Sequence, residues 1–91
     1  MADDVHVLRL QVPIDVDGDQ VSEIRIRRPL VRDHLLAARG SASVAERDVA
    51  LVRIVSGLKE QQVREMDLGD MFRAQDVVAN FLASGTAKPK S

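Results

Sequence analysis

The chain contains no cysteine, tryptophan or tyrosine, and its only aromatic residues are Phe72 and Phe81. Without cysteine there are no disulfides, thiol nucleophiles or thiolate metal ligands, which accords with a reducing compartment. No apolar run approaches the roughly 20 residues needed to cross a bilayer. The acidic start, Met1-Ala2-Asp3-Asp4, is not followed by the apolar segment of a secretory signal. Formal net charge is -1, so no strong field of either sign draws in a polyanion or a membrane surface. Together these features predict a cytoplasmic protein with no nucleic-acid or membrane partner. At 91 residues the chain fits a single domain, residues 1–91, whose modest core leaves room for help from oligomerisation or a partner.

Arrangements that carry chemistry are missing too. His6 and His34 sit in different segments, and neither belongs to a metal-binding pair spaced on one helix turn. Asp15, Asp17 and Asp19 alternate as in a calcium loop, but Gly18 follows the second Asp, and the twelfth position lacks the closing Glu. A solvated turn explains them better. No serine lies in a nucleophile-elbow context, and the five glycines are scattered rather than clustered around a phosphate. The expectation is a binding protein with no catalytic residue, cofactor or metal, not an enzyme.

What remains is aliphatic patterning. Residues 5–12 alternate, with Leu8, Leu10 and Val12 on one face and Arg9 and Gln11 on the other. Residues 21–28 repeat this, Ile24 and Ile26 inward, Arg25 and Arg27 outward. Between them Val16-Asp17-Gly18-Asp19 signals a hairpin turn. A two-residue turn would set Leu10 opposite Arg25, so side-chain period demands an odd offset. A three-residue loop with a Gly18 bulge supplies one, pairing Leu10 with Ile24 and Leu8 with Ile26, though it sets Arg9 opposite Arg25.

Pro29 opens a helical stretch carrying Leu30, Val31, His34, Leu35 and Ala38 at helical spacing, which Gly40 caps. Ser43-Val44-Ala45-Glu46 is a capping box for a helix that is apolar almost all round and ends at Gly57. Leu58, Val63 and Met66 anchor a short polar helix. Asp67 then caps a final helix ending at Gly85, and residues 86–91 read as a flexible tail. The fold class is therefore α+β: an N-terminal β-hairpin followed by about four helices, ordered over about residues 5–85. On the final helix Leu68, Met71, Phe72, Gln75, Val78, Ala79 and Leu82 form the expected core stripe. Ala74, Val77 and Phe81 form a second stripe, the candidate partner-binding surface. Arg25, Arg27, Arg28 and Arg32 are the one concentration of charge. Arg25 and Arg27 on the outward hairpin face are a second candidate for binding an acidic partner.

Over residues 7–83 the chain resembles the phage tail assembly chaperone family of Mu-like and P2-like myophages, the group of the tail assembly protein E. The resemblance is carried, in order, by Pro13-Ile14-Asp15-Val16-Asp17-Gly18, by the segment from Val21 to the Arg27-Arg28-Pro29 joint, by Val31-Arg32-Asp33-His34-Leu35 and Glu46-Arg47-Asp48-Val49-Ala50-Leu51-Val52, and by the Ser56-Gly57-Leu58 break before Met66-Asp67-Leu68-Gly69-Asp70-Met71. It implies a non-enzymatic protein of a phage or prophage that works in the host bacterial cytoplasm. Its partner would be the tape measure protein, a long, largely helical and apolar chain kept soluble until the tail tube assembles around it. Some members are also made as a longer, frameshifted product. Two other readings fit the residues: a small DNA-binding regulator using the hairpin arginines, and a homo-oligomeric structural component of the virion.

Overall fold

The computed structural model describes residues 5–87, and the side chains of residues 5–83. The order of elements is β1 (Val5–Val16), β2 (Asp19–Arg27), α1 (Val31–Arg39), α2 (Val44–Ser56), α3 (Glu60–Arg64) and α4 (Leu68–Ala87). This is the α+β arrangement expected: an antiparallel hairpin followed by four helices. Helix α2 is central, touching α1, α3, α4 and β2, while α3 and α4 also lie against β1. One core joins Leu10, Ile14, Ile24 and Ile26 of the hairpin to Val52, Val55, Val63, Met66, Met71, Ala74, Val77 and Val78 of the helices.

The hairpin register differs from the expected one. Asp17 (φ 52) and Gly18 (φ 86) are both left-handed, as in a two-residue type I′ turn, and Val16 faces Asp19. The odd offset that side-chain period demands is instead made within β1. Beyond the turn Ile14 faces Val21, but farther along Arg9 faces Glu23, so Leu10 to Pro13 stand against Ser22 alone. The bulge brings Leu8 opposite Ile24 and His6 opposite Ile26. It also expels Val12, which is exposed, while Leu10 and Ile14 on either side stay buried. Pro13 has no N–H to give a ladder, which makes this segment the natural place for pairing to lapse. Arg9 faces Glu23 rather than the like charge of Arg25, a better cross-strand pair.

Local signals set the helix ends. The Ser43 hydroxyl accepts from Glu46 N (3.1 Å), and Glu46 reaches back to the amide of Ala42 (2.8 Å), one residue before the cap. Gly57 (φ 75) closes α2 in the left-handed conformation, its N–H donating to Arg53 O. Asp67 accepts from Asp70 N at the start of α4. Helix α4 continues through Thr86 to Ala87 rather than stopping at Gly85; positions 88–91 of the expected tail lie outside the described residues.

Helix α1 turns the other way from its apolar pattern. Asp33 and Ala37 are its buried residues, and Leu30, Val31, Leu35 and Leu36 are exposed. The reason is Asp33, an acid at the third helical position that is drawn inward by polar partners.

Candidate functional site

Arg27, the last residue of β2, and Arg28 after it are engaged within the fold. Arg27 clamps Asp33 through its two terminal guanidinium nitrogens, at 2.7 and 2.9 Å, and the Leu30 amide donates to the same carboxylate at 2.8 Å. The bidentate bond from Arg27 is the main reason the Asp33 pKa falls to about 2; burial opposes it and the Leu30 N–H assists. Arg28 lies over the Phe81 ring, 5.2 Å from its centre, and donates to the Phe81 carbonyl at 3.1 Å. Arg27 keeps the outward side of β2 that alternation gives it, its side chain 39% exposed, but Asp33 holds its guanidinium to the start of α1. Arg25 is exposed on the hairpin, opposite Val7.

A second buried acid fastens the hairpin to the helices. Asp70 is 0% exposed, and its two oxygens accept from the amides of Gln11 and Val12, each at 3.0 Å. Arg73, one helical turn along, donates to the same carboxylate. Burial alone would raise the Asp70 pKa, but the two amides and Arg73 together outweigh it and hold the pKa below its ordinary value. The bulged residues of β1 thus find on α4 the hydrogen bonds they lack in the sheet. Sequence reasoning missed this contact. Its signal, an acid at the third position of a helix, is shared by many capping residues that stay in solvent.

The final helix is turned around relative to expectation. Ala74 is 0% and Val77 8% exposed, both in the core, and Phe81 packs against it beneath Arg28. The stripe assigned to a partner is therefore mostly interior. Met71 and Val78 of the expected core stripe are buried, but Leu68, Phe72 and Leu82 are 64%, 56% and 54% exposed. Asp70 supplies the physical reason. Its bonds to Gln11 and Val12 fix the rotation of α4, putting positions 70, 74, 77 and 81 toward the hairpin and turning positions 68, 72, 79 and 82 away.

The outer face of α4 opens onto a groove of about 320 Å³ whose walls include His34 of α1, Asp48 and Leu51 of α2, and Gln75, Ala79 and Leu82 of α4. A larger groove, about 600 Å³, lies between α1, α2 and α3 and is lined in part by Leu36, Ala45, Val49, Ala50 and Val63. Exposed apolar side chains of α1, with Val44 of α2, add to this helical surface. Among the described residues, no group of three or more His, Asp or Glu side chains is placed to hold a metal ion, and no helix is long and apolar enough to cross a membrane. The helical layer offers exposed hydrocarbon for binding.

The family model described as phage tail assembly chaperone proteins, E, or 41 or 14, matches residues 7–83. No curated protein and no solved structure matches the chain.

Proposed function

Because the chain belongs to the phage tail assembly chaperone family, we propose that its client is the tape measure protein and that the outer helical layer, centred on α4, keeps that client soluble until the tail tube forms. The observation carrying this reading is the exposure of Leu68, Phe72 and Leu82 along one helix of a domain whose core is already complete without them. Large apolar side chains gathered on one face are the usual mark of a surface that another chain covers. A long helical client presents matching hydrocarbon and aggregates when it is left uncovered. Phage assembly supplies such a client in the bacterial cytoplasm.

The hairpin arginines give less support to a DNA-binding role. Arg27 is held by Asp33 and Arg28 lies on Phe81, which weakens the phosphate footprint that four neighbouring arginines would otherwise make.

Co-expression tests the reading. The tape measure protein made alone should sediment with insoluble material, and the chain should bring it into the soluble fraction as a complex. Phe72→Glu should keep the chaperone folded and return the client to the pellet. A client that stays insoluble beside the wild-type chain, or that Phe72→Glu rescues equally well, contradicts the proposal.

A further inference from the structure

Leu68, Phe72, Gln75, Ala79 and Leu82 are spaced four, three, four and three residues apart. That is the period of a seam that mates with another helix, narrower and more regular than a general amphipathic stripe. All five lie on the outer side of α4: Leu68, Phe72, Ala79 and Leu82 are exposed and Gln75 is half-buried. The second half of the seam forms one wall of the groove that ends at His34 of α1, with Leu51 and Asp48 of α2 between them. We infer that this seam and groove receive a single amphipathic helix of the client, with apolar residues at the same alternating spacing and Lys or Arg along its flanks. The inference rests on the client-binding reading and adds the form and charge of the segment bound.

The flanking charge argues for a basic partner. The open side of the seam carries Gly69, Asp76 and Ala83, with Asp67 at its start. Arg73, the nearest cation on α4, is turned to Asp70. On the groove side Arg47 lies 3.9 Å from Asp48, so the two largely offset each other. With Asp67 held as the helix cap, accepting from Asp70 N, and Asp48 offset by Arg47, the rim presents the exposed carboxylate of Asp76 to whatever lies along the seam.

A second copy of the chain fits less well. Antiparallel pairing of α4 with itself has two natural registers. One mates Phe72 with Leu82 of the other copy and brings Asp76 to face its counterpart. The other mates Phe72 with Gln75, setting an amide against a ring.

Synthetic three-heptad peptides provide the test. One has Leu at the seam positions and Lys on both flanks, which also discourages the peptide from pairing with itself. A second carries Glu on the flanks, and a third scrambles the first. Binding of each labelled peptide to the full chain is read by fluorescence anisotropy. Self-association of the chain is read by sedimentation, and folding of the variants by circular dichroism. The Lys-flanked peptide should bind, with the Glu-flanked and scrambled peptides at least about tenfold weaker. Phe72→Glu and Leu68→Glu should each weaken binding at least about tenfold while staying folded, and the chain should sediment as a monomer. Failure of the Lys-flanked peptide to bind, equal binding of the scrambled peptide, or a dimer that Phe72→Glu dissolves would each overturn the inference. If the chain still keeps the tape measure protein soluble when the peptides fail, helical recognition is refuted and the client reading stands. If the peptides bind but the client is not solubilised, the reverse holds.

Discussion

Asp33 and Asp70 occupy equivalent places, each the third residue after a helix cap, and each is buried with donors from another part of the chain. Near a helix start the local field favours the ionised carboxylate, and here the donors extend that preference into the interior. Asp70→Ala would leave the Gln11 and Val12 amides and Arg73 without their acceptor. An unsatisfied buried donor costs about 1–3 kcal/mol, so a loss on the order of 3 kcal/mol is expected in urea unfolding. Both acids also set an acid limit. Their folded pKa values lie below those of the unfolded chain, so in that window the unfolded chain binds more protons and stability rises with pH. The contribution of Asp33 is complete above its ordinary value of 3.8 and is lost as pH falls toward its folded value of about 2. The urea midpoint should fall over that interval, and Asp33→Asn should flatten the fall while lowering the plateau. A midpoint independent of pH there would show that the Arg27–Asp33 pair contributes nothing.

At the scale of the elements, the order of hairpin and helices, the Ser43 and Gly57 caps and the short helix around Val63 follow from local pattern, and local pattern reads them well. Faces and register are another matter. On α4 apolar residues line both the inner face (Met71, Ala74, Val77, Val78, Phe81) and the outer one (Leu68, Phe72, Ala79, Leu82), so periodicity permits two rotations that differ by a fraction of a turn. The choice is made by Asp70 meeting the β1 bulge, a contact between residues 59 and 58 positions apart. The same distance explains why the odd register offset was legible while its location in β1 was not. On α1 Leu30, Val31 and Leu35 recur at helical spacing yet are exposed, and nothing local reveals that Arg27 draws Asp33 inward. Two substitutions check the observed rotation. Ala74→Leu overpacks a site with no exposure and should destabilise by about 1–3 kcal/mol. Phe72→Ala should change thermal stability by less than about 1 kcal/mol, whereas a Phe buried in a core typically costs about 3–5 kcal/mol. Should Phe72→Ala unfold the protein while Ala74→Leu is tolerated, α4 would have the opposite rotation.

Across the whole molecule the hairpin and the inner sides of the helices complete one core, and the outer helical layer remains apolar and grooved. That division of labour suits a tail assembly chaperone, in which one face must hold the fold while the other holds a client. A photo-crosslinking amino acid in place of Phe72, and separately in place of Arg25, distinguishes the helical layer from the hairpin directly. Both positions are exposed, so both variants should fold. With tape measure protein co-expressed, irradiation should produce a crosslinked chaperone–client species from position 72 and little or none from position 25. A crosslink from position 25 with none from position 72 would contradict the account and move the client to the hairpin's basic face.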